Sequence, residues 1–371
     1  MPPITMLDLK MEFGLFADEI RSAIETVLES QQFVNGPAVA HLEEALVKRI
    51  GAKHAVAVSS GTDALLCSLM ALGIGPGHEV IVPALTFFAT AGCVSRVGAK
   101  PVFVEVDPHT FVMDPEAVAQ AVTEQTRAII PVHLFGQCAD MDALTAIAQR
   151  HKLMVVEDAA QAIGATYMDR AAGTLGHMAC LSFYPTKNLG GFGEGGMILT
   201  NDDRLAQVAR QLRNHGESQR YVHDRVGGNF RLDTLKAAIL LVKLNYWDEF
   251  TRRRKHHAAQ YDRLLEQSHV TRPVVAKYNE MVYHQYSVLC DDRDALASTL
   301  RDRQIATAVY YPIPLHLQKC FETLGYKPDS LPVTEGICRR ILSLPCHPML
   351  SEEEVSFVAE AVCAFHSAGR A

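Results

Sequence analysis

Five short runs rich in β-branched residues alternate with amphipathic helical stretches through the first half of the chain: HAVAV (54–58), EVIVP (79–83), PVFVEVD (101–107), RAIIPVH (127–133) and LMVVED (153–158). Runs that are apolar at almost every position belong to strands covered on both faces, and helical crossovers between them make such strands parallel. The helical stretches carry their own stop signals. PAVAHLEEALVKRI (37–50) opens on proline and is closed by Gly51, and DALLCSLMAL (63–72) is closed by Gly73. Further helices are expected at 86–97 and 141–150. The pattern predicts a mainly parallel α/β sheet to about residue 212, with ligand chemistry at the carboxyl ends of its strands.

A different rhythm follows. One long helical pattern is expected from 232 to 267, then a strand at 283–290 (YHQYSVLC), a helix at 292–304, a proline-rich loop and a final helix at 351–366. This predicts a large domain over residues 1–240 and a smaller α+β domain over 241–371, a division suited to 371 residues.

Several function classes are disfavoured by composition. A formal net charge of −7 argues against a nucleic-acid partner, which needs a basic face. The basic run RRRK (252–255) lies in the long helical pattern and is expected to be a solvated face. No apolar run approaches the roughly 18 residues that span a bilayer. The first residues lack the basic and apolar regions of a signal peptide, so a cytoplasmic location without membrane contact is expected. The nine cysteines are scattered without a CxxC pair and read as reduced thiols. Sixteen histidines include no HExxH, so no metal is expected.

Four segments carry chemistry. In SFYPTKNLGGFGEGG (182–196), Lys187 precedes five glycines within seven residues, and Ser182 stands five residues before it. Most lysines in such loops are surface cations. Here the glycines allow a flat ligand to approach the backbone, and lysine is the residue of Schiff-base chemistry. The stretch GFGEGG formally matches a dinucleotide fingerprint, but it leads into the strand GGMILT and so offers no helix N-terminus to a pyrophosphate. In VVEDAAQAIGA (155–165), Asp158 ends a buried strand, where a carboxylate needs a cationic partner; the plainer reading is a helix cap. A protonated pyridine nitrogen would be such a partner, and Gln161 lies one turn further on. In SSGTDALLCSL (59–69), Gly61 and Thr62 open a helix directly after a strand, which makes either an anion site or a simple capping turn. In TFFAT (86–90), Phe87 is placed to lie against a ring, although aromatics in such positions are more often core.

In their order, these segments resemble the DegT/DnrJ/EryC1/StrS family of sugar aminotransferases. The resemblance runs from GPAVAHLEEAL through PVHLFGQCADMD to RNHGE, GGNFRLDTLKAAIL, YYPIPLHLQ and LSLPCHP, which is nearly the whole chain. It implies the fold-type I architecture of pyridoxal 5'-phosphate (PLP) enzymes, a large α/β domain with a smaller α+β one. Lys187 would carry the cofactor, Asp158 would pair its pyridine nitrogen, and Gln161 would contact its ring hydroxyl. Phe87, chosen over Phe88 by register, would stack on the ring. Gly61, Thr62 and Ser182 would hold the phosphate, joined by Asn229 from the second subunit of a homodimer with shared active sites. His215, Arg231, Tyr311 and His316 match positions that line the substrate side.

The resemblance further implies that L-glutamate gives up its amino group, leaves as 2-oxoglutarate, and that a nucleotide-linked keto-sugar receives it. GQCADMD, HGESQRYVHDRVGGNFRLD and TAVYYPIPLH look closest to members that aminate C3 of UDP-linked 2-acetamido-3-keto sugars or their uronates, for cell-surface glycans such as O-antigen. The alternative is a 4-keto-sugar aminotransferase using dTDP- or GDP-linked deoxysugars. Related dehydratases place histidine where this chain has Lys187, and a catalytically silent sensor would not need every catalytic position filled.

Overall fold

The structure is a computed structural model that describes residues 2–368. Its centre is a seven-stranded sheet. The strands are β1 (His54–Val58), β2 (Glu79–Pro83), β3 (Lys100–Val104), β4 (Thr126–Ile129), β5 (Met154–Asp158), β8 (Met178–Ser182) and β9 (Gly196–Thr200), in the order β1-β9-β8-β5-β4-β2-β3. Between β5 and β8 lie two short strands, β6 (Thr166–Tyr167) and β7 (Arg170–Ala171). β9 runs antiparallel to both of its neighbours, while the other pairings are parallel. The loop carrying Lys187 therefore makes a tight return from β8 to β9, where a parallel strand would have required a crossover helix.

Alternate residues of single strands enter different cores. Val80, Val82 and Val156 pack with the helices Gly61–Ala71, Ala89–Arg96 and Asp203–Arg213. Ile81, Ile129 and Val155 pack instead with Val118, Leu144 and Ala148 on the opposite face. Covering both faces explains the unbroken apolar runs, each fully buried Val or Ile contributing about 1.5–3 kcal/mol.

Three short elements follow the sheet: the hairpin β10 (Glu217–Gln219) with β11 (Val222–His223), and β12 (Asn279–Glu280), which pairs with β6. β13 (Tyr286–Leu289) and β14 (Ile341–Leu344) form a separate antiparallel pair. Around them Tyr261, Leu296, Leu300, Val355, Val358 and Val362 build a second core.

Three expectations are corrected. The long helix is two, Thr234–Leu244 and Trp247–Leu264, and the break at Asn245 and Tyr246 lets both Trp247 and Phe250 turn inward. The strands after Arg127 and Pro101 stop at Ile129 and Val104; Pro131, two residues past β4, has no N–H to extend the ladder. In the basic run, Arg252 is exposed as expected but Arg254 is buried, donating through Nη1 to the Cys346 carbonyl at 2.7 Å. Seven cysteines, Cys67, Cys93, Cys138, Cys180, Cys320, Cys338 and Cys346, are unbridged thiols. Among the described residues no helix is long and apolar enough to cross a membrane, and no cluster of side chains could hold a metal ion.

Candidate active site

The carboxyl ends of β1, β5 and β8 meet at one edge of the sheet, and the sequence-predicted residues follow them there. Asp158 is the last residue of β5 and is buried. Its Oδ2 accepts from Thr90 Oγ1 at 2.7 Å and its Oδ1 from the Ala160 N–H at 3.3 Å. Burial pushes its carboxyl upward, against the hydrogen bonds and the nearby Lys187, which pull it down. Lys187 lies in the β8–β9 return, in a turn closed by its N–H to the Tyr184 carbonyl at 2.9 Å. Burial lowers its ammonium from 10.5 to about 8, and Asp158 opposes that shift. A lysine so placed is roughly one-tenth neutral at pH 7, against a negligible fraction for an ordinary lysine, which favours its use as a nucleophile or proton acceptor.

Ser182 ends β8 beside Gly61. A Cβ built on Gly61 would stand 2.7 Å from Ser182 Cβ, and one on Gly196 only 2.4 Å from the Ser60 backbone. Only glycine permits these approaches. They bring the Ser182 hydroxyl against the N-terminus of helix Gly61–Ala71, the end whose free N–H groups attract an anion. Thr62 occupies the same first turn, while Ser60 caps the helix through Asp63 N at 3.0 Å.

Gln161 accepts from the Phe135 N–H at 2.7 Å and donates to the Tyr311 hydroxyl at 3.2 Å. Phe87 leaves the turn after β2 with 55% of its surface exposed, its ring centroid 6.2 Å from that of Tyr311. Phe88 instead stacks on Phe321 at 5.7 Å. A large exposed aromatic beside a buried carboxylate, a lysine and an anion-binding turn suits a flat phosphorylated ring, and these residues fit PLP.

The remaining candidates lie further out. Ser59 N donates to the Phe230 carbonyl at 2.8 Å, which brings Asn229 and Arg231 close to the Gly61 turn. Asn229 is exposed, and Arg231 Nη1 holds Asn214 Oδ1 at 2.7 Å. His215 is exposed at the base of the β10–β11 hairpin, its backbone in the left-handed region (φ 58°). His316 is buried, with Nε2 3.1 Å from Glu335 Oε1. It thus sits in a closed pair and not on an open face.

Two sets of residues were not anticipated. Thr86 and Thr90, joined at 3.0 Å, sit behind Asp158. Their spacing of four in TFFAT was the available signal, since such residues share one side of a helical turn. Glu157 is fully buried beside Asp158 and accepts from Gly173 N, Leu175 N and Gly176 N at 2.7–2.8 Å, with His133 Nε2 at 2.9 Å. His133 therefore serves this structural carboxylate. Nothing in the local sequence distinguishes the two neighbouring acids.

A lysine and a buried aspartate at the strand ends of such a sheet, beside a helix N-terminus open to an anion, fit the class of PLP-dependent enzymes. The chain belongs to the DegT/DnrJ/EryC1/StrS aminotransferase family, whose model matches residues 16–363. It is a PLP-dependent aminotransferase. The chain is 49% identical over 366 residues to a pleiotropic regulatory protein of Geobacillus stearothermophilus, covering 98% of each. It is 44% identical to the UDP-2-acetamido-2-deoxy-3-oxo-D-glucuronate aminotransferase of Pseudomonas aeruginosa, over 97% of this chain and 99% of that one. The solved structure of DesV from S. venezuelae, in complex with a ketimine intermediate, superposes with a TM-score of 0.97 at 42% identity and full coverage of both chains. Other relatives are named for dTDP-linked 3-amino sugars.

Proposed function

We propose that this chain transfers the amino group of L-glutamate to C3 of a nucleotide-linked keto-sugar, a UDP-2-acetamido-2-deoxy-3-keto-hexose or its uronate. The UDP-3-amino sugar formed would serve cell-surface glycan biosynthesis. The observation that carries the chemistry is the convergence of buried Asp158 at the end of β5, Lys187 in the β8–β9 return and Ser182 packed against the Gly61 helix N-terminus. The substrate class draws support from 44% identity across nearly the whole of a relative named for a UDP-linked 3-oxo sugar.

Lys187 would hold the cofactor through Nζ, Asp158 would accept from the pyridine nitrogen, and Gln161 would donate to the ring hydroxyl. Phe87 would cover the ring face. Gly61, Thr62 and Ser182 would bind the phosphate. When bound, PLP supplies an electron sink for the charge left at the donor's α-carbon. Nζ of Lys187 would take the proton from that carbon and deliver it on the return path, which calls for an amine near the working pH. Arg231, His215 and Tyr311 would face the sugar nucleotide, whereas His316, buried against Glu335, would not.

Asn229 of a second copy would complete the phosphate site, so the working unit would be a homodimer in the cytoplasm. The exposed β10–β11 arm, with Tyr221 79% and Val226 89% exposed, supports an assembly that covers it. The larger body, 1–240, would carry the cofactor and the smaller, 241–371, would flank it.

A second reading, a dTDP-linked substrate, draws on the relatives named for dTDP-3-amino sugars at 42% and 40% identity. The test loads the enzyme with the amino group from glutamate, then offers UDP- and dTDP-linked 3-keto and 4-keto sugars. Return of the original cofactor absorbance with a UDP-linked 3-keto sugar is expected; return only with 4-keto sugars would overturn the C3 assignment.

A further inference from the structure

The Asp158 carboxylate is buried without an ion pair among the described residues: its hydrogen-bond partners are a threonine hydroxyl and one backbone N–H. The threonine, Thr90, is fully buried at the start of helix Ala89–Arg96, and Thr86 is 2% exposed in the turn before it. A hydroxyl has a single proton. An ionised carboxylate only accepts, so the Thr90 proton goes to Asp158 Oδ2 at 2.7 Å. The 3.0 Å contact between the two threonines must then be donated by Thr86. The relay has one polarity, Thr86 to Thr90 to Asp158.

We propose that Thr90, anchored by Thr86, is a positioning residue of the aminotransferase, holding the Asp158 carboxylate oriented as an acceptor for the pyridine nitrogen of PLP. This rests on the reading that Asp158 meets that nitrogen. The hydroxyl fixes one oxygen from behind and leaves the remaining lone pairs for the cofactor. Burial works against the ionised form of Asp158, and the Thr90 bond is the largest opposing influence. The other groups that bear on this carboxylate are the Lys187 ammonium, the His133 ring, the Tyr311 phenol and the thiols of Cys93 and Cys180. Lys187 and His133 also favour the charge, but Lys187 is engaged elsewhere whenever it holds the cofactor. The hydroxyl then matters more, because hydrogen bonds to a charged group in a dry site are stronger than their neutral counterparts.

Thr90→Val keeps the shape of the side chain and removes the hydroxyl; Thr90→Ser restores the hydroxyl without the methyl group. In holoenzymes, the protonation of an isotope-labelled pyridine nitrogen would be followed by NMR across pH. Cofactor dissociation constants and the kcat and KM of the glutamate half-reaction would be measured alongside. T90V is expected to lose the ring proton at lower pH, to bind cofactor on the order of tenfold more weakly, and to drop kcat at least as much with KM for glutamate little changed. T90S should recover most of each. A T90V enzyme with the wild-type ring titration overturns the proposal, as does a T90S enzyme impaired equally with T90V. If T90V does not fold, Thr86→Val supplies the test: a smaller displacement in the same direction supports the relay, and a wild-type titration overturns it. Asp158→Asn separates the two readings. A D158N enzyme with the wild-type ring titration removes the role of Asp158 itself, whereas a displaced D158N beside an unaltered T90V removes only that of Thr90.

Discussion

Gln161 and Tyr311 are joined by a 3.2 Å hydrogen bond between positions 150 residues apart, tying the segment after β5 to the loop before the segment Leu315–Leu317. The Tyr311 ring also faces Phe87, so one phenol braces two residues proposed to contact the cofactor. Tyr311→Phe removes the hydroxyl and leaves the ring contact. The expected outcome is a fall in kcat of roughly 2–10-fold, the worth of one neutral hydrogen bond, with cofactor affinity changed less. Steady-state kinetics and a cofactor titration check it. A loss of a thousandfold would show that the hydroxyl does chemistry of its own.

At Gly61 the prediction is steric. An added Cβ would stand 2.7 Å from Ser182 Cβ, and neither the helix turn nor the end of β8 has a flexible side chain that could yield. Gly61→Ala should weaken cofactor binding by an order of magnitude or more, since parting these two elements widens the proposed phosphate site. Gly14→Ala is the control: nothing lies within 4 Å of its Cβ. That change should leave binding alone and stabilise the chain by about 0.4–1 kcal/mol through the unfolded state. Fluorescence titration with PLP and urea unfolding distinguish the two.

The fold was legible where composition and periodicity carry the information. Strands buried on both faces announce themselves, as EVIVP does, and Gly51 and Gly73 mark true helix ends. Strand direction is not written in either signal, so the antiparallel β9 and the tight Lys187 return it creates were unreadable. The interruption at Asn245–Tyr246 was hidden because both sides keep helical spacing and no proline or glycine marks the break. In the site, Lys187, Asp158, Gln161, Ser182 and Gly61 stood in local motifs and the structure brings them to one edge of the sheet. Thr90 and Glu157 act through partners up to 68 residues away, and such pairings exist only in the folded chain.

The Lys187 amine gives a pH prediction. Its ordinary value of 10.5 is lowered to about 8 in the folded chain without cofactor. The unfolded chain therefore binds more protons than the folded one between about 8 and 10.5, and stability rises with pH across that window. Below pH 8 the full cost of burying the ammonium is present, on the order of 3 kcal/mol. Lys187→Met should make the cofactor-free chain more stable at pH 7, with the gain fading as pH rises through the window. Chemical unfolding at several pH values reads this directly. The same shift makes the rate of PLP capture by the cofactor-free wild type climb with pH to about 8 and then level off.

Glu157 and Asp158 are neighbouring acids on β5 whose side chains, by strand alternation, point to opposite faces. The first is enclosed by three backbone N–H groups and His133, and the second by Thr90 and the site. Opposite consequences should follow from the two amide substitutions. In Glu157→Gln, an –NH2 group must face either the backbone N–H groups or the His133 ring, leaving buried donors against donors, so a loss of roughly 3–5 kcal/mol in unfolding free energy is expected. Protein that remains folded should retain the cofactor spectrum, because Asp158 is untouched. Asp158→Asn keeps an oxygen for Thr90 and should change stability by less than about 1 kcal/mol, yet reduce kcat by at least a hundredfold through loss of the charge that holds the ring proton. Urea midpoints and glutamate half-reaction rates on the two variants make the comparison. Equal destabilisation with equal loss of rate would mean that β5 acts as one unit and that the division of labour between its last two residues is wrong.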